Sequence, residues 1–160
     1  MCSGKSTLGK ALAEALDWSF LDVDRVLEER EGMSIPEIFE RRGEEYFRKR
    51  EFEVLKELSN LEKVVISTGG GLGANIKAME LMKSKGLVVW LKLDFETFLE
   101  RCAEDSSRPL LRKSKEELIE LMKEREKVYS LSHLSLDSKA DCEENVKKIL
   151  LACQKSYKGL

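Results

Sequence analysis

The residues best suited to chemistry stand at the start of the chain. Met1-Cys2-Ser3-Gly4-Lys5-Ser6-Thr7 carries the Gly-Lys-Ser of a G-x-x-x-x-G-K-[ST] phosphate-binding loop. In such a loop, backbone N–H groups wrap the phosphates, the lysine reaches the β- and γ-phosphates and the hydroxyl binds Mg2+. Ser3, Gly4, Lys5, Ser6 and Thr7 are therefore candidate nucleotide-binding positions, with Ser6 a candidate metal ligand. The amphipathic stretch Leu8, Leu12, Leu16 follows at once, as the helix opened by such a loop requires. Only three residues precede Gly4, so the loop's first glycine and the buried strand before it are absent from the sequence.

Three further groups could join this site. Asp22-Val23-Asp24 ends a strand-like segment, and Gly69-Gly70-Gly71 ends another. Arg108-Pro109-Leu110-Leu111 lies in a charged, serine-rich stretch without apolar periodicity, about 104–115, which reads as a mobile lid. Each is modest alone. An Asp-x-Asp is often a strand end or helix cap, and a glycine triplet is often a plain turn.

The elements that must position these groups alternate between strand and helix. Strands are expected over Ser19–Val23, Val64–Ser67, Leu87–Leu93 and His133–Leu136. Helices are expected over Lys5–Asp17, Arg25–Arg30, Ser34–Arg42, Glu44–Leu58, Asn75–Lys85, Phe95–Ala103, Glu116–Tyr129 and Glu143–Lys155. The triple glycine is expected to open a loop. Strands separated by helices imply an α/β fold, a three-layer parallel sheet flanked by helices, with ligands at the carboxyl ends of the strands. The aspartate pair and the glycine triplet both fall at such ends.

Composition narrows the function. The 160 residues suit one domain, and 28 cationic against 30 acidic side chains leave a net charge of −2. Bulk charge thus points neither to nucleic acid nor to an anionic membrane. No apolar run approaches the roughly 20 residues of a membrane helix. Cys2, Cys102, Cys142 and Cys153 form no CxxC pair, and the one histidine, His133, offers no zinc-ligand spacing. They read as scattered thiols in a reducing cytoplasm, and His133 as structural or exposed. With no heptads and no long apolar patch, a monomer is the default expectation.

In this order and at these intervals, the GKST loop, the Asp-Val-Asp pair, the triple glycine and Arg108-Pro109-Leu110-Leu111 resemble the shikimate kinases, a family of small P-loop kinases. Phe47-Arg48 with Glu51, and Arg125 four residues before Tyr129, match the same pattern. The resemblance runs from Met1 to about Leu136. It implies a P-loop NTPase fold of the nucleoside-monophosphate-kinase type, with substrate-binding helices at about 25–60. It also implies transfer of the ATP γ-phosphate to the 3-hydroxyl of shikimate, in aromatic amino-acid (chorismate) biosynthesis.

By that resemblance Asp24 acts as base or orienting group, Lys5 neutralises the β- and γ-oxygens, and Arg108 closes over the phosphates. Ser6 binds Mg2+, and Asp22 and Ser67 reach it through water. Arg101 stacks near adenine. Arg48 and Arg125 pair the shikimate carboxylate, Glu51 holds Arg48, and Gly69, Gly70 and Gly71 bring backbone N–H groups to the substrate. Phe39 and Phe47 wall the pocket. Plainer roles stand beside these: a helix cap for Asp24, solvated charges for Arg48 and Arg125, core packing for Phe39 and Phe47.

The sequence departs from the family at both ends. Past Leu136, Asp137-Ser138-Lys139-Ala140-Asp141 replaces the family's adenine loop. At the start, the first strand, central in the family's sheet, is missing. Met1 is therefore expected to be an internal methionine of a longer protein. A chain truly beginning there is expected to fold poorly and bind ATP weakly. The rival readings are a kinase for another small substrate, such as gluconate, and an inactive truncated homologue.

Overall fold

The structure, a computed structural model, describes residues 4–103 and 113–158. Ser3, Arg108 and most of the expected lid lie outside the described residues. Helix α1 spans Lys5–Leu16, and Gly4 caps it in the left-handed region, at φ 82° and ψ 23°. Space around Gly4 is open, so conformation rather than crowding asks for glycine there. The first turn of α1 carries no acidic side chain and no side-chain cap, leaving its N–H groups for an anion.

Among the described residues, four short strands follow the expected order. β1 (Ser19–Asp22) pairs in parallel with β2 (Val64–Ser67), placing Asp22 beside Ser67. β3 (Val89–Lys92) pairs in parallel with β4 (Leu134–Asp137), placing Lys92 beside Asp137. Among the described residues the strands thus form two parallel pairs, with no ladder joining β2 to β3. One apolar cluster nevertheless serves both. Leu8 and Leu12 of α1 pack with Val65 of β2, with Val89 and Leu91 of β3 and with Ile149 of α9 (Cys142–Lys158).

A second cluster builds the other half of the molecule. Helices α2 (Val23–Glu31), α3 (Ile35–Arg42) and α4 (Glu44–Leu58) bury Leu27, Ile38 and Val54 completely. Removing these side chains from water is the main force fixing the three helices. At the surface, Arg50 of α4 pairs with Glu31 of α2 at 2.8 Å, and the Tyr46 hydroxyl donates to Glu31 at 2.9 Å. The Arg50 pairing holds the Glu31 carboxyl below the ordinary range.

Two local expectations change in detail. The glycine triplet does not open a loop. Gly70–Gly73 forms one turn of helix, α5, closed by Gly73 N–H to Gly69 O at 3.1 Å. Buried Leu72, 2% exposed, anchors that turn. At Ser34 the Ile35 N–H donates to Glu28 of α2, while the hydroxyl accepts from Glu37 N–H and donates to Glu37 Oε1 at 3.3 Å, which leaves out the Ser34 N–H bond of a full capping box. It is complete at Ser114 and Glu117, which open α8 (Lys115–Tyr129). The remaining helices are α6 (Ile76–Lys85) and α7 (Phe95–Ala103). His133 is exposed and its Nδ1 accepts from Val88 N–H at 2.9 Å, a structural contact. No described helix is long and apolar enough to cross a membrane.

Candidate active site

The site forms where α1, α2, α4, α5 and α8 meet the carboxyl ends of β1 and β2. Asp22 ends β1 and caps α2: its Oδ1 accepts from Asp24 N–H at 2.9 Å and from Arg25 N–H at 3.4 Å. Its other oxygen, Oδ2, accepts from the Ser6 hydroxyl at 3.5 Å. The cap is therefore Asp22, and Asp24 is freed for another role. Ser67, at the end of β2, is buried beside this pair.

Asp24 projects into the interior. Its Oδ1 is buried and has no hydrogen-bond partner, a costly arrangement for a carboxylate. Burial chiefly, and then the charge of Asp22, push its carboxyl above the ordinary aspartate value, while Lys5 opposes them. Lys5 and Asp24 thus act on each other electrostatically, which joins the phosphate loop to the rest of the site.

Gly69 is the meeting point of two carboxylates. A Cβ there would lie 3.2 Å from Glu51 Oε1 and 3.3 Å from Asp24 Oδ2. Glu51 is only 1% exposed and takes Arg48 Nη1 at 3.0 Å. Burial first raises its carboxyl above the ordinary value; Arg48 works against that, and Asp24 adds to it. The Arg48 guanidinium also lies over the Phe47 ring, 5.2 Å from its centroid, and a Cβ on Gly71 would overlap it. Arg48 is therefore held by Glu51, Phe47 and the bare backbone of α5, not waving in solvent.

Arg125 of α8 is 8% exposed. Burial lowers its affinity for a proton, and the Arg48 charge lowers it further, against the support of Tyr129 and Glu51. Two guanidiniums that act on one another thus share one buried carboxylate, Glu51. The arrangement favours an added anion, and a planar fork on each side suits a carboxylate. Arg125 is not the solvated surface charge that its Lys/Glu-rich helix suggests.

Phe39 and Phe47 stack with ring centroids 4.8 Å apart. Both pack in the α2–α4 core, and Phe47 also carries Arg48, so the core and wall roles coincide in one ring. Thr7 is exposed on the first turn of α1, and Arg101 is exposed in the last turn of α7. Among the described residues no cluster of three His, Cys, Asp or Glu could hold a metal unaided. The Ser6 hydroxyl and Asp22 Oδ2 do suit an ion that phosphates and waters already surround, the usual habit of Mg2+.

One residue given no role in the sequence reading joins this site. The Tyr129 hydroxyl donates to Gly70 O at 2.6 Å, and its ring stacks on Trp90 at 5.7 Å. The signal was present: Arg125 and Tyr129 are four apart, hence on one face of α8.

Comparison with known proteins agrees with this geometry. A family profile described as Shikimate kinase matches residues 1–154. Shikimate kinase of Aquifex aeolicus is 52% identical over 159 residues, covering 99% of this chain and 95% of that protein. The shikimate kinase of a Sulfurihydrogenibium species is 48% identical over 138 residues, 86% of this chain and 83% of its own. The crystal structure of the Aquifex aeolicus enzyme superposes with a TM-score of 0.89 at 51% identity, over 100% of this chain and 95% of that one. Shikimate kinase from Acinetobacter baumannii in complex with shikimate gives 0.90 at 36% identity, over 98% and 89%. The phosphate loop, the Asp24 cleft and a profile match running from residue 1 to 154 together place this chain in the shikimate kinase family.

Proposed function

We propose that this chain transfers the γ-phosphoryl group of ATP to the 3-hydroxyl of shikimate, giving 3-phosphoshikimate and ADP for chorismate biosynthesis. One observation carries the reading. Buried Arg125 acts on Arg48, whose guanidinium lies over the Gly69–Gly73 turn, and the Asp24 carboxylate, its Oδ1 without a hydrogen-bond partner, stands at Gly69. Shikimate has the matching groups, a carboxylate for the arginines and hydroxyls for the aspartate. Membership of the family, and its relative in complex with shikimate, support the same choice.

The residues then divide the work. Arg48 and Arg125 hold the carboxylate, with Glu51 fixing Arg48 and Phe47 flanking it. Gly69, Gly70 and Gly71 keep side chains out of the way. Asp24 accepts a hydrogen bond from the 3-hydroxyl, and takes its proton as the oxygen bonds to the γ-phosphorus. The bond from that phosphorus to the β–γ bridging oxygen breaks, and ADP leaves. Lys5, the N–H groups at the start of α1 and Arg108 balance charge on the phosphates, with Arg101 against adenine. Mg2+, held by Ser6 and reached by Asp22, supplies further charge neutralisation on the phosphate oxygens. A monomer in the cytoplasm completes the proposal.

Coupled ADP release with a panel of acceptors tests it. Turnover is expected with shikimate, and none above background with gluconate or quinate. Turnover with gluconate and not with shikimate would transfer the assignment to another polyol kinase.

Gly71→Ala offers a sharper test of the cradle. Alanine in a helical turn is intrinsically better than glycine by about 1 kcal/mol, which offsets part of what loosening Arg48 from Glu51 costs, so the variant should still fold. The new methyl nevertheless displaces the Arg48 guanidinium. We expect the shikimate KM to rise about tenfold, with the MgATP KM little changed. An unchanged shikimate KM would detach Arg48 from the substrate.

A further inference from the structure

We propose that Tyr129 is a positioning residue, whose hydroxyl relays between the Arg125 guanidinium and the Gly70 carbonyl and so sets both for the substrate carboxylate. The inference rests on the reading of Arg125 and the glycine turn given above.

Helix α5 needs support from outside itself. Three of its four residues are glycine, and one isolated turn of helix is unfavourable even for good helix formers. The turn cannot hold its own shape, so its backbone must be fixed from outside. Leu72 anchors one side in the core. Tyr129 supplies two further points. Its hydroxyl donates to Gly70 O at 2.6 Å, and a Cβ on Gly73 would lie 3.2 Å from its ring. Gly70 O also accepts from Ala74 N–H at 3.2 Å, so both lone pairs of that carbonyl are engaged.

The same hydroxyl oxygen accepts from Arg125. A phenol can donate one hydrogen bond while accepting another, so the chain Arg125 N–H to Tyr129 O–H to Gly70 O is chemically complete. Each bond polarises the next, and the buried setting strengthens both. The ring is fixed in turn by Trp90 of β3, at 5.7 Å and 46°. Tyr129 therefore ties together α8, β3 and α5. Arg125 is a buried cation that Arg48 repels and Glu51 attracts, and the Tyr129 oxygen gives it a fixed neighbour on its own helix.

Tyr129→Phe isolates the relay, because it deletes the hydroxyl and keeps the ring on Trp90. We expect the shikimate KM to rise about fivefold to twentyfold, less than for loss of Arg125 itself, because the hydroxyl acts on the substrate only through its neighbours. The MgATP KM should change by less than about twofold, since α1 is untouched. In the double variant Tyr129→Phe/Arg125→Ala, the two effects should combine to less than their product, as for residues acting through each other.

An unchanged shikimate KM in Tyr129→Phe, with a raised one in Arg125→Ala, overturns the relay alone. An unchanged shikimate KM in Arg125→Ala overturns the reading of the site, and the relay with it. Equal rises in both KM values, or a fully multiplicative double variant, reduce Tyr129 to a support of the fold.

Discussion

Asp24→Asn is expected to lower kcat by about 10²–10⁴-fold, the usual worth of a positioned general base, while ATP still binds within about twofold of the parent. The asymmetry follows from where Asp24 stands. It is the second residue of α2, just past the end of β1, and is within electrostatic reach of Lys5 without being part of the phosphate loop. The same substitution should not weaken the fold. Burial raises the Asp24 carboxyl, so near neutral pH its ionised form is the one that the folded state disfavours. Its Oδ1 has no partner to lose. Asparagine removes the charge and its desolvation, and the thermal midpoint without ligand should stay level or rise. Loss of activity with a lowered midpoint would make Asp24 a structural residue. Near-parental kcat would remove it from the chemistry.

Arg125→Ala is expected to raise the shikimate KM by about 10- to 150-fold, corresponding to the loss of roughly 1.5–3 kcal/mol from a charged hydrogen bond. The MgATP KM should move far less. In the apo protein the guanidinium is buried and faces the Arg48 charge, so its removal relieves repulsion as well as leaving a space. It also takes a cation from Glu51 and a donor from Tyr129, so a thermal loss is expected alongside the KM effect. Shikimate should stabilise the parent protein against heat and stabilise the variant little, because ligand stabilisation scales with affinity. Equal shikimate KM values would return Arg125 to a purely structural role.

Much of this was legible in the sequence. The strand over Val64–Ser67 and the helices over Glu44–Leu58 and Phe95–Ala103 follow the apolar periods to the residue, and the helix of the phosphate loop ends one residue earlier than expected, at Leu16. Signals of that kind are local. The nature of Gly70–Gly73 was not legible, because three glycines announce freedom and only Leu72 and Tyr129, from distant parts of the chain, decide how it is used. Asp22 and Asp24 look equivalent in sequence. The turn from β1 into α2 makes one the cap and buries the other. Arg125 has the neighbours of a solvated charge, and its burial comes from the packing of α8 against other elements, α5 and α6 among them. Tyr129 was visible as a spacing, but its value depends on a carbonyl 59 positions away.

The central claim is that one cleft brings the shikimate 3-hydroxyl to Asp24 and the γ-phosphate to Lys5. Phosphorus NMR of the chain mixed with ATP, Mg2+ and shikimate tests it most directly. The account predicts a new phosphomonoester signal coupled to the C3 proton of the ring, growing in step with ADP and lost in Asp24→Asn. ADP formed with inorganic phosphate alone, or a phosphomonoester on another hydroxyl, would contradict it.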